Sequence, residues 1–135
     1  MPSEQSHREQ AEYNEEAALS IKDTAPDWAV TMCFYAALHW VRCYAEVQGE
    51  NIEIIHQSSQ SGSTHKKLED YVKNIAYTRR CQDLRKAYKN LSKECHTARY
   101  LTDIIISSRE HYTRYEEDVK KSFDNLQIVK QRLNS

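Results

Sequence analysis

The chain has 135 residues, 39% of them hydrophobic and 29% charged, with a formal net charge of −1. That is enough for one domain with its own core and too apolar for a disordered chain. With only two glycines and two prolines, it lacks the turn formers of a β-sandwich or barrel, and Gly49 and Gly62 stand alone, outside any phosphate-cradling loop.

These exclusions leave an all-α fold: an up-and-down bundle of four to five helices with no sheet, residues 1–135 forming one domain whose ends (1–5 and 133–135) fray. The elements follow in chain order. Residues 5–22 form an amphipathic helix through Ala11, Asn14, Ala18 and Ile21, with a glutamate-rich outer face. Thr24 is placed to cap a second helix, with Pro26 in its first turn and Asp27 favouring its N-terminus. That helix runs through Trp28, Val30, Met32, Phe34, Tyr35, Leu38, Trp40, Val41 and Tyr44 to a stop at Gly49. Its apolar residues go nearly all the way round, which suggests burial against its own bundle and against a second copy, a homodimer. A membrane span is excluded, since His39 and Arg42 interrupt a stretch shorter than the roughly 20 residues required.

The serine-rich run from Ser58 to Ser63 reads as a loop. Thr64 then caps a short helix carrying Leu68, Val72 and Ile75. A fourth helix starts near Thr78 and shows the stripe Leu84, Tyr88, Leu91, Cys95 and Ala98. After an apolar connection (Ile104 to Ile106), Ser107 and Glu110 make a capping box. It opens a last helix with Tyr115, Val119, Phe123, Leu126, Val129 and Leu133 on one face.

Charge is uneven along this series. Residues 1–27 carry seven acids and two bases, whereas residues 64–99 carry ten bases and four acids. Such runs are most often solvated faces or are paired within the molecule. The basic third also suits an anionic partner such as RNA, or the acidic segment of a second copy.

Cys33, Cys43, Cys81 and Cys95 form no C-x-x-C pair and follow a polar, acidic N-terminus. Reduced thiols packed as small hydrophobes in a cytoplasmic protein are therefore expected. His39 and Cys43 share a helix face and Cys95 adjoins His96, a zinc set on paper that its spacing does not select over core packing. Neither metal nor cofactor is expected.

Tyr35, His39 and Arg42 line one face of the apolar helix. Buried polar groups need partners, so the expected arrangement is a network: His39 bonded to Tyr35 or a backbone carbonyl, Arg42 to a carboxylate of the first helix. The alternative is a polar floor to a ligand groove. Arg99, near a helix C-terminus, suits the dipole there and also offers a fork for phosphate or carboxylate.

Phe34-Tyr35-Ala36-Ala37-Leu38-His39 followed by Tyr44-Ala45, then His65-Lys66-Lys67-Leu68, then Tyr88, Leu91 and Ala98-Arg99-Tyr100, in this order and separation, resemble the HEPN superfamily (higher eukaryotes and prokaryotes nucleotide-binding). The resemblance covers roughly residues 9–131. It implies a four- or five-helix bundle that commonly dimerises. Many members are metal-independent endoribonucleases of toxin–antitoxin, CRISPR and phage-defence systems; others are non-catalytic RNA-, nucleotide- or protein-binding relatives, often encoded beside a nucleotidyltransferase. Active members carry an Arg followed, after four to six residues, by a His. No Arg here has that spacing; the nearest approximation, Arg109-Glu110-His111, puts the two side chains on different helix faces. A Ser frequent in the second segment is Cys95 here.

The expected function is thus a non-catalytic binding module for RNA, a nucleotide or a protein partner such as a nucleotidyltransferase or antitoxin. Tyr35, Arg42, Arg99, Tyr100, Lys86, Lys89 and Lys93 are the binding candidates. The alternative is a metal-independent ribonuclease with a rearranged site drawn from His39, His65, Arg99, Arg109 and His111, in which imidazole moves protons and guanidinium steadies the phosphate.

Overall fold

The computed structural model describes residues 2–56, 63–102 and 104–135. They form α1 (Glu4–Ile21), α2 (Pro26–Gln48), α3 (Ile52–Ile55), α4 (Thr64–Thr78), α5 (Gln82–Tyr100), α6 (Ser108–Arg114) and α7 (Glu116–Leu133). Among the described residues there is no strand, and no helix is long and apolar enough to cross a membrane. The fold is an all-helical bundle.

The described residues form seven helices where four or five are expected, and the extra boundaries have local causes. The helix expected to run on from Ser107 breaks at Tyr115, half exposed and non-helical in backbone. The apolar stripe hides this break, but the charges mark it. His111 and Arg114 end α6 and Glu116, Glu117 and Asp118 begin α7, each group on the side its helix dipole favours. The fourth long helix starts at Gln82 rather than near Thr78, because Arg80 turns the chain at φ +55° with no glycine to announce it. α3 is a single turn capped by the Asn51 side chain, which accepts from the Ile54 N–H. Ser58 to Gly62 of the expected loop lie outside the described residues.

Two expected caps also move by one residue. Ala25, not Thr24, precedes α2, and the Thr24 hydroxyl donates back to the Ile21 carbonyl instead. Ser63, not Thr64, caps α4 by accepting from the Lys66 N–H. Ser107 does cap α6, but the Glu110 carboxylate turns away to pair with Arg114 at 2.8 Å. Gly49 ends α2 at φ +69°, a left-handed turn for which glycine carries no side-chain penalty.

α2 is the axis of the bundle. It packs against α1, α5 and α7, with further contacts to α6 and α4. Side-chain pairings set the directions. His7 meets His39, so α1 runs antiparallel to α2, and Val30 clusters with Ala98 whereas Phe34 meets Tyr88, so α5 does too. Trp40 lies near Lys130 and Val30 clusters with Val119, so α7 runs parallel to α2. This is an up-and-down order with α4 laid against α5. Fully buried Leu68, Leu84, Leu91, Leu126, Val41 and Val129 fill the centre, each worth roughly 1.5–3 kcal/mol over its exposed state.

Of the large apolar residues of α2, only Trp28 and Val47, at its two ends, are exposed. The apolar circumference that suggested a second copy is accounted for within one chain. At the periphery Glu15 of α1 accepts from Gln127 and Lys130 of α7 at 3.0 and 3.3 Å, and Arg8 and Lys130 both lie over the Trp40 ring at 5.8 Å.

Candidate functional site

The antiparallel packing of α2 on α5 brings together two segments 64 residues apart. An Arg99 guanidinium N–H donates to the Tyr35 hydroxyl at 2.8 Å, and the same guanidinium lies 5.1 Å from the Tyr100 ring centroid. From α4, the His65 ring approaches Tyr35 edge-on at 6.3 Å and Phe34 at 5.8 Å. Tyr35, His65, Arg99 and Tyr100 therefore form one cluster, with Arg99, Tyr100 and His65 exposed and Tyr35 half buried. Burial raises the Tyr35 phenol above its ordinary value, and the charge of Arg99 opposes this only in part. The hydroxyl stays protonated while it accepts from Arg99, so its own proton is available to a ligand. Beneath lies Cys95, whose thiol is pushed up to about 11 by burial against the opposing pull of Arg99. Such a thiol is a packing group and no nucleophile at neutral pH.

The other polar residues of α2 find different partners from those expected. His39 faces His7 of α1, Nδ1 to Nδ1 at 3.0 Å with the rings stacked. Burial, then His7, then Arg42 lower its pKa to about 4. His7 is lowered too, by burial and then Arg42, with Glu46 opposing. Both rings are neutral at pH 7, and one Nδ1–H donates to the other Nδ1. Arg42 pairs at 2.7 Å with Glu53 of α3, not with the first helix. Burial works against the Glu53 charge, yet the guanidinium holds its carboxyl below the usual range. These are partnered groups, the network expected, with its members corrected.

Arg109 and His111 do not join the cluster. Ser108 bonds Asp27 at 2.9 Å and Tyr112 packs with Val30, so α6 sits at the start of α2, about 12 Å along the axis from Tyr35 at 1.5 Å per residue. His111 instead packs on the Tyr112 and Tyr115 rings at 4.8 Å each. Among the described residues no three His, Cys, Asp or Glu side chains are placed to hold a metal, and the four cysteines are free and buried.

Lys86, Lys89 and Lys93 are exposed along α5. Lys89 and Lys93 line a shallow cleft with His96 and Thr102, the latter two hydrogen-bonded at 2.8 Å. Among the described residues no ion pair joins the acidic segment 1–27 to the basic segment 64–99. Two clefts among the described residues, about 580 and 610 Å³, have mainly acids among their charged lining residues, Glu46, Glu50 and Glu53 beside Arg42 in one, and Glu15, Asp23, Glu116, Glu117 and Asp124 against Lys22 and Lys120 in the other. Their carboxylates repel an anion, whereas the α4–α5 face attracts one.

His7 was missed as a partner of His39. Its signal was present: His7, Ala11, Asn14, Ala18 and Ile21 continue one 4-3-4-3 stripe, which places the imidazole on the face that meets α2. Tyr88 belongs to the apolar stripe of α5 and its ring is buried, but its hydroxyl has no hydrogen-bond partner among the described residues.

No protein-family model, curated protein or solved structure matches this chain. Fold and site together define an all-helical bundle with an aromatic–guanidinium cluster at the edge of a basic helical face.

Proposed function

We propose that this chain is a HEPN-like, non-catalytic module that binds single-stranded RNA on its α4–α5 face. The observation that carries the reading is the Arg99 guanidinium held on the Tyr35 hydroxyl and flanked by the Tyr100 ring. A guanidinium fixed in this way loses little further freedom on meeting a phosphate. The exposed Tyr100 offers a face on which a base can stack, and Lys86, Lys89 and Lys93 extend the positive surface along α5. A role beside an antitoxin or nucleotidyltransferase partner in a prokaryotic defence system fits the same surface.

One observation favours a second reading, a metal-independent ribonuclease. His65 and Arg99, far apart in sequence, both reach Tyr35, and in this reading they would serve as base and phosphate clamp without the family spacing. Titration of a short single-stranded RNA at 50 and 200 mM salt, in EDTA, tests both readings. Binding that weakens with salt, and more than about tenfold in Arg99→Ala, supports the module; each lysine lost should lower the salt slope by about 0.7. Absence of binding at 50 mM salt refutes it. RNA cleavage lost in His65→Ala would replace it by the enzyme.

A further inference from the structure

α4 and α5 enclose, besides this cluster, a cavity of about 60 Å³. Lys66, Lys73, Arg85 and Lys89 line it, against Glu69 and Asp70, and Tyr88 contributes a wall. Asp70 is already engaged with Lys66 at 3.3 Å. Tyr88 is only 2% exposed, packs its ring 5.6 Å from Phe34, and leaves its hydroxyl without a hydrogen-bond partner among the described residues.

From this arrangement we infer that the cavity is a phosphate site, in which Tyr88 donates its hydroxyl proton to an oxyanion held by Arg85, Lys73 and Lys89. Three independent features agree on it. A buried hydroxyl with no partner is costly, and an oxyanion oxygen would satisfy it. Four bases against two acids select an anion over a cation. The volume of about 60 Å³ admits a few waters or one tetrahedral oxyanion. Inorganic phosphate and a phosphodiester of an RNA backbone share this chemistry. The site stands with or without the RNA reading above.

The test titrates the full chain with inorganic phosphate at low millimolar concentration by calorimetry, against chloride of equal ionic strength. Tyr88→Phe and Arg85→Gln are the variants. The wild type should bind phosphate, and each variant should bind about tenfold more weakly, the loss of one charge-assisted hydrogen bond. In chloride Tyr88→Phe should melt no lower than the wild type, since it discards an unpartnered group; this separates a lost ligand contact from a damaged fold. No phosphate binding by the wild type, or undiminished binding by Tyr88→Phe, overturns the proposal. A parallel RNA titration identifies the source: binding weakened in Tyr88→Phe means a backbone phosphodiester, and unchanged RNA binding with a lost phosphate response means the free ion. Phosphate binding by a protein that ignores RNA refutes the RNA reading alone.

Discussion

The pair of His7 and His39 makes stability depend on pH, with a definite sign. The unfolded chain protonates a histidine near pH 6.5, whereas the bundle holds His39 neutral down to about 4. Its contribution is therefore fully present above pH 6.5 and declines as the pH falls toward 4. At pH 5 the displacement from 6.5 to about 4 amounts to roughly 2 kcal/mol in full. Because the ring is only half buried, solvent screening cuts this to about 1 kcal/mol. His7, lowered by the same burial, acts in the same direction. For a chain of this size 1 kcal/mol corresponds to about 3–6 °C in melting temperature. The assay is thermal unfolding at pH 7.5 and pH 5.0 of the wild type and His39→Gln, which can still hydrogen-bond His7 but does not titrate. The variant should lose about 3–6 °C less between the two pH values. Equal losses in both proteins would refute the argument.

Two further substitutions probe the frame around the site. Gly49→Ala introduces a Cβ with nothing within 4 Å of it, so only the left-handed backbone is penalised. Urea unfolding should show a loss of about 1 kcal/mol, and a loss above 3 would reveal a clash the structure does not contain. Tyr112 is fully buried and donates to the Glu94 carboxylate at 2.6 Å. Tyr112→Phe should cost about 1.5–3 kcal/mol by the same measurement; a neutral outcome would mean that this bond does not form.

Which residues are interior was legible because apolar periodicity is a local property. Leu84, Tyr88, Leu91, Cys95 and Ala98 are all buried, as are Leu68, Val72 and Ile75. Boundaries were legible where one residue type dictates the backbone, as at Gly49, and illegible where an ordinary residue does the same work, as at Arg80. Partners were least legible. That Arg42 meets Glu53 and not a first-helix acid depends on the one-turn helix α3, whose four residues are too few for any period to show. The meeting of Arg99 with Tyr35 depends on how α5 slides along α2, which side-chain packing decides and no spacing along the chain records.

The charge asymmetry now has a structural meaning. Had the acidic first segment folded onto the basic third, the two would cancel and the surface would carry little field. Instead α1 packs on α2 and reaches α7 through Glu15, whereas α4 packs chiefly on α5, and no ion pair among the described residues links the two segments. The molecule is therefore polarised, with acidic clefts and one basic face, although its net charge is only −1. In the RNA-binding reading proposed above, such a charge distribution would turn an approaching polyanion toward α4 and α5. That steering acts over about 8 Å at physiological salt. Within that distance the groups that touch the anion decide affinity: in the proposed RNA reading the guanidinium of Arg99, and in the proposed phosphate site the hydroxyl of Tyr88 together with Arg85, Lys73 and Lys89.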